Sequence, residues 1–147
     1  MRAVVQRVTQ ARVVIDGECV GEIGKGIMLL VGFAADDNDS VIDYIVDKTI
    51  NLRIFEDTDE KMNLSLVDID GGLLVVPNFT LYGDTRKGRR PGYSSGASPA
   101  VAEGIYIRFV EMVKSKYAKV ETGVFQAYMQ VELINDGPVT LLLNSEK

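Results

Sequence analysis

Residues 2–23 read RAVVQRVTQARVVIDGECVGEI, and the architecture follows from how they pair. β-Branched residues alternate in RAVVQRV (2–8) and again in ARVVID (11–16), the period of two that a half-buried strand shows. Asp16-Gly17 then precedes ECVGEI (18–23). Asp-Gly suits a two-residue hairpin turn because both central positions need positive φ. An antiparallel hairpin therefore opens the chain. GIMLLVGFA (26–34) follows as a buried strand, marked by its apolar run.

Working outward, DDNDS (36–40) offers helix N-caps, and Ser40 with Asp43 three residues on has the form of a capping box. Ile42, Ile45, Val46, Thr49 and Ile50 share one helical face, which predicts a helix to about Arg53. EDTDEKMN (56–63) reads as a polar loop. GGLLVVPNFTLYGD (71–84) reads as a turn, an apolar strand and a second turn. Residues 84–98 have no periodicity, and a loop of that length in a compact domain is usually functional or disordered. Ser98-Pro99 has the form of an N-cap followed by N1. Val101, Ile105, Phe109, Met112 and Val113 then predict a second amphipathic helix. Strands are expected at 120–122, 127–134 and 138–144. Strands at both ends with two helices between them predict an α+β fold. Its sheets are largely antiparallel, β-β-α layered and barrel-like, with two main helices packed outside.

The 147 residues suit one domain, 1–147, which buries roughly 68–70% of its unfolded surface and needs no staples. No signal-peptide pattern opens the chain. Its longest apolar run, IMLLVGFAA (27–35), is too short to span a bilayer. Cys19 is the only cysteine, so no internal disulfide forms, and the cytoplasm is the expected location. There is no histidine. Ser-His-Asp and Cys-His chemistry is thereby excluded, and so are the usual zinc sites. An all-carboxylate Mg or Ca site stays formally open, but no metal and no cofactor are expected. The net charge of −5 argues against a protein that coats nucleic acid nonspecifically, and leaves room for a local basic patch.

Four segments are candidates for chemistry. In VVPNFTLYGD (75–84), Pro77 interrupts an apolar strand where it cannot donate to a ladder. The plain reading is an edge proline at a strand end. The functional one is that backbone N–H groups after it, around Asn78, Phe79 and Thr80, form an oxyanion hole. Nothing obvious deprotonates Thr80, and a strand threonine is ordinarily a β-former. NDGPVT (135–140) reads as a trans turn on composition alone. A cis Gly137-Pro138 bond would instead redirect a carbonyl into a rigid acceptor. TRKGRRPGY (85–93) places Arg86, Lys87, Arg89 and Arg90 within five residues, either as a solvated loop or as a phosphate-binding patch, with Tyr93 able to stack on a base. In ETGVFQAYMQ (121–130), strand-like in context, Phe125 and Met129 are by default core residues.

Taken in order, MRAVVQRVTQARVVIDGECVGEIGKG, LRIFEDTDEKMNLSL, FTLYGDTRKGRRPGY, ETGVFQAYMQVEL and NDGPVTLLL resemble the D-aminoacyl-tRNA deacylase family over essentially the whole chain. One family signature, Asn-x-Gly-Pro-x-Thr, is intact as Asn135, Gly137, Pro138 and Thr140. The other, of Ser-Gln-Phe-Thr type, stands here as Pro77-Asn78-Phe79-Thr80: Phe79 and Thr80 match, Pro77 and Asn78 depart. The resemblance implies hydrolysis of D-aminoacyl-tRNA, and of mischarged Gly-tRNA, with no metal. It implies a homodimer whose Gly-Pro motif, with a cis bond, reaches into the partner's pocket and excludes L-aminoacyl groups by collision. On the same basis Asn78, Phe79 and Thr80 are catalytic candidates. Gly137, Pro138, Arg7 and Asn135 belong to the chiral filter, with Arg7 holding the motif in place. Phe125 and Met129 contact the terminal adenosine, and Arg86, Lys87, Arg89 and Arg90 are the tRNA-binding cations. The 2′-OH of the RNA helps to position or activate water. Thr80 as a covalent nucleophile is the weaker version.

Two alternatives are carried. One is a non-catalytic nucleic-acid-binding dimer of the same fold, whose known members add a C-terminal tail that this sequence, ending at Lys147, does not contain. The other is an L-specific editing relative with a trans Gly-Pro bond.

Overall fold

The computed structural model describes residues 1–145. In chain order they form β1 (Arg2–Ile15), β2 (Glu18–Ile23), β3 (Gly26–Gly32), α1 (Asp39–Asn51), β4 (Phe55–Glu56), β5 (Met62–Leu64) and β6 (Gly72–Pro77). A 3₁₀ turn (Phe79–Tyr82), α2 (Pro99–Lys116), β7 (Val120–Thr122) and β8 (Gln130–Asn144) complete the order. The main sheet runs β2-β1-β3-β6-β7, with β8 also paired to β1. β4 and β5 make a separate two-stranded sheet at the two ends of the stretch expected to be a loop.

β1 is antiparallel to β2, as the opening hairpin predicts, and also to β3 and β8. The turn has positive φ at both Asp16 (50°) and Gly17 (82°). β6 is instead parallel to both β3 and β7. Each helix lies between two parallel strands in the chain order, and only a crossover connection can join parallel neighbours. The fold is α+β with a curled, mixed sheet.

Both faces of that sheet are covered, which explains the unbroken apolar runs in β3 and β6. Ile27, Leu29, Val31, Leu73 and Val75 face the helices, meeting Ile42, Ile45, Val46 and Ile50 of α1 and Ile105, Phe109 and Val113 of α2. Met28, Leu74 and Val76 point the other way, into a second core with Val8, Ala11, Val13 and Ile23. β1 contributes Ala3 and Val5 to the first core but Val8, Ala11 and Val13 to the second. The sequence suggested two strands with a break near Thr9. The structure has one strand whose register with β8 shifts there, between Gln6 and Gln10, as it passes from one layer to the other.

Three local expectations are corrected. The α1 cap is Asn38, whose Oδ1 accepts from the N–H groups of Ser40 (3.0 Å) and Val41 (3.2 Å); Ser40 is already inside the helix. Asn38 precedes an acidic first turn and so satisfies the orphan donors one step earlier. The helix stops at Asn51, two residues short of Arg53. On α2, Ser98 is the N-cap and Pro99 opens the helix as expected, without a side-chain cap bond, but Val101 is exposed. The buried stripe runs through Ala102, Ile105, Tyr106, Phe109 and Val113, one residue off the face that Val101 would have started. Among the described residues no helix is long and apolar enough to cross a membrane.

Candidate active site

β6 ends at Pro77, opposite Val31, and the next N–H, of Asn78, donates to the Val31 carbonyl at 2.7 Å. Pro77 therefore closes the ladder, one of the positions a strand proline can hold. Residues 79–82 are not strand, as the sequence suggested, but a 3₁₀ turn capped by Asn78. The Asn78 Oδ1 accepts from the Thr80 N–H (3.0 Å) and from the Thr80 hydroxyl (2.6 Å). Both Thr80 donors are thus committed within the turn, and among the described residues the hydroxyl's hydrogen-bond partner is the Asn78 amide oxygen. The Phe79 N–H has no acceptor among the described residues and is free to donate.

The 123–129 segment forms a wall beside that turn. It is not strand-like: β7 stops at Thr122 and β8 starts at Gln130. The Gly123 N–H donates to the Val75 carbonyl at 2.8 Å. A Cβ on Gly123 would lie 2.8 Å from Met129 Sδ and 3.5 Å from Pro77 Cδ, so Met129 stands against the end of β6. The Phe125 ring stacks on Tyr106 at 5.8 Å, and the Tyr106 hydroxyl donates to the Gly123 carbonyl at 3.0 Å. Burial pushes the Tyr106 phenol up to about 12. Phe125 packs against the first core and Met129 against the second, and both are half-buried. Each is anchored by the fold and presents a free side. Tyr106 and Gly123, which hold this wall, were not singled out from the sequence; a buried tyrosine on a helix face carries no local mark of its partner.

The 84–92 loop leaves the 3₁₀ turn and returns to it. Asp84 and Gly92 exchange backbone hydrogen bonds of 2.7 and 2.9 Å and close the loop at its base. The Arg86 guanidinium binds Asp84 at two points, 2.9 and 2.8 Å, and holds that carboxyl far below the usual carboxylate range. Arg86 is thereby occupied within the loop. Lys87, Arg89 and Arg90 are exposed and make no ion pair among the described residues.

Gly137 and Pro138 lie elsewhere. They sit within β8 where its pairing with β1 shifts, and their peptide bond is cis. The Arg7 side chain, only 6% exposed, donates from Nε to the Asp136 carbonyl (3.0 Å) and from Nη1 to the Ile54 carbonyl (2.7 Å). Asn135 Nδ2 donates to the carbonyls of Arg7 (3.0 Å) and Val139 (3.1 Å), which brackets the two residues from both sides. Gly137 has φ +118°, and a Cβ there would lie 2.7 Å from Arg7 Nη2. Along β3, Arg7 is level with Ile27, whereas the 78–80 turn hangs from Val31. Those four residues span about 13 Å. The two motifs therefore do not meet within one chain.

Residues 4–144 match the family model described as D-Tyr-tRNA(Tyr) deacylase. The chain belongs to that family of hydrolases. It is 57% identical over 147 residues to the D-aminoacyl-tRNA deacylases of Fervidobacterium nodosum and Clostridioides difficile, covering 100% of this chain and 99% of each relative. Among solved structures it resembles the c-Myc DNA Unwinding Element Binding Protein, with a TM-score of 0.95 and 40% identity over 100% of both chains. A probable eukaryotic D-amino acid tRNA deacylase, 19% identical with a TM-score of 0.83 and 97% of each chain covered, shares the fold. The Asn78 side chain satisfies the Thr80 N–H and hydroxyl by itself.

Proposed function

We propose that this chain, as one domain, hydrolyses the ester of D-aminoacyl-tRNA, and of mischarged Gly-tRNA, in the cytoplasm. The observation that carries the reading is the full-length match to curated D-aminoacyl-tRNA deacylases at 57% identity. The chemistry of this reading needs neither histidine nor metal. Water adds to the ester carbonyl carbon, and the Phe79 N–H stabilises the tetrahedral oxyanion; one such donor is worth ~3–4 kcal/mol. The carbon–oxygen bond to the ribose then breaks and the proton ends on the ribose oxygen, releasing amino acid and tRNA. The neighbouring 2′-OH positions the water, which fits a site where the Thr80 hydroxyl is tied to Asn78. Phe125 and Met129 bound the space next to the turn and receive the terminal adenosine.

The chiral filter is Gly137–Pro138, held out by Arg7 and Asn135, with their carbonyls where an L side chain would need to go. It acts on a partner's site in a homodimer. Two features support this: the filter is about 13 Å along β3 from its own 78–80 turn, and β8 exposes Ile134, Leu141 and Leu142, the last 80% accessible. A second reading, binding of nucleic acid without hydrolysis, is favoured only by the name of the 40% identical relative. Purified protein mixed with D-Tyr-tRNA in the presence of a chelator decides between them. Release of D-tyrosine unaffected by chelator supports the deacylase; tight binding with no release supports the other.

A further inference from the structure

Phe79 and Tyr93 form an edge-to-face pair, ring centroids 5.1 Å apart, on the surface rather than in a core. Phe79 is 66% exposed and Tyr93 43%. The pair is built in place. Tyr93 lies over Gly83, where a Cβ would come within 3.1 Å of Tyr93 Cε1. The Ser95 hydroxyl donates to the Tyr82 carbonyl (3.1 Å), and the Gly96 N–H to the Tyr93 carbonyl (3.3 Å). With the Asp84–Gly92 bridge, these bonds fix Tyr93 at the foot of the loop that carries Lys87, Arg89 and Arg90. That loop, residues 84–92, has four basic residues and one acidic one in a chain whose net charge is −5. Exposed rings on a rigid base, next to unpaired cations, match a single-stranded nucleic acid: bases stack on the rings and phosphates meet the charges.

We propose that Phe79, Tyr93 and the Lys87–Arg90 loop form a platform for the unpaired nucleotides that precede the terminal adenosine of the substrate RNA. The inference rests on the deacylase reading for its choice of RNA end. Charge complementarity argues for this occupant, and stacking, which every base offers, suits a segment common to all substrates. The platform also lies at the turn that presents the Phe79 N–H, so RNA bound there delivers its 3′ ester to the oxyanion donor.

The probe is a fluorescein-labelled single-stranded RNA with a 3′ acceptor-end sequence, titrated by anisotropy against the same strand lacking the two bases before the terminal adenosine. The wild type is expected to bind the intact strand at least roughly 30-fold more tightly. Tyr93→Ala should cut that difference by roughly 5-fold or more, Tyr93→Phe should keep it, and kcat/KM for D-Tyr-tRNA should follow the affinity. The Lys87→Gln, Arg89→Gln, Arg90→Gln triple variant, which leaves the rings in place, should lower the slope of log affinity against log salt by about 2. Equal binding of both strands by the wild type, or an unchanged salt slope in the triple variant, overturns the platform. Base-dependent binding with no hydrolysis by the wild type leaves the platform standing and refutes the deacylase reading instead.

Discussion

Arg7→Met tests how the Gly-Pro turn is held. Methionine keeps most of the apolar stem and deletes the guanidinium. Two charge-assisted hydrogen bonds are lost, to the carbonyls of Ile54 at 2.7 Å and Asp136 at 3.0 Å. Each such bond is worth ~1.5–3 kcal/mol, and the buried Ile54 carbonyl is left without its partner. The ion-pair contacts, 3.3 Å to Asp136 and 3.9 Å to Glu56, reach partners that are partly in solvent and add little. Relief of the cost of burying a charge offsets part of the loss. The expected destabilisation is about 2–4 kcal/mol. Arg7→Lys, a single point charge that satisfies one carbonyl at a time, should show about half of it. The assay is equilibrium urea denaturation at one fixed protein concentration, read as a shift in midpoint with unchanged slope. Because the same side chain fixes the turn, the ratio of D- to L-ester hydrolysis should fall in step with stability. An Arg7→Met protein within ~0.5 kcal/mol of wild type, with its D/L ratio intact, would falsify the clamp.

Gly137→Ala places a Cβ 2.7 Å from Arg7 Nη2 at φ +118°, so a loss of about 1–3 kcal/mol is expected in the same denaturation assay, with a weakened D/L ratio. Thr80→Ala should retain hydrolysis within ~10-fold, since the hydroxyl already donates to Asn78; a loss of roughly 10⁴-fold or more in single-turnover rate would make Thr80 the nucleophile after all. Tyr106, raised by burial to about 12, binds its proton more tightly folded than unfolded. Its contribution is therefore complete below about pH 10 and lost as pH rises from about 10 to about 12, amounting to up to ~2–3 kcal/mol. In a pH series of denaturation midpoints, Tyr106→Phe should decline less steeply across that window, and an identical decline would remove Tyr106 from the account.

Much of the fold is legible because it rests on period and turn chemistry. Asp16-Gly17 announces the hairpin, and the α1 stripe is read residue for residue as Ile42, Ile45, Val46, Thr49 and Ile50. The parallel pairing of β6 is implied by strand–helix–strand order but has no local turn signal of the kind that marks the antiparallel hairpin. The 3₁₀ turn was hidden because FTLY has strand composition, and only the Asn78 side chain, reaching over two residues, curls it. The cis state of Gly137–Pro138 and the bracket around it are not local properties. Arg7 is distant in sequence from the turn and meets it through the β1–β8 register, and Ile54 is linked to it only through the Arg7 guanidinium. The four-cation loop was visible, but not that Asp84 occupies Arg86. The Phe79–Tyr93 pair joins residues on either side of the loop, and no spacing rule connects them.

The most direct test of the central claim is a parallel single-turnover assay of D-Tyr-tRNA and L-Tyr-tRNA with the purified protein. The account predicts rapid release of D-tyrosine and an L ester that decays no faster than without protein. Equal hydrolysis of both esters would contradict the Gly137–Pro138 filter, and hydrolysis of neither would contradict the deacylase itself.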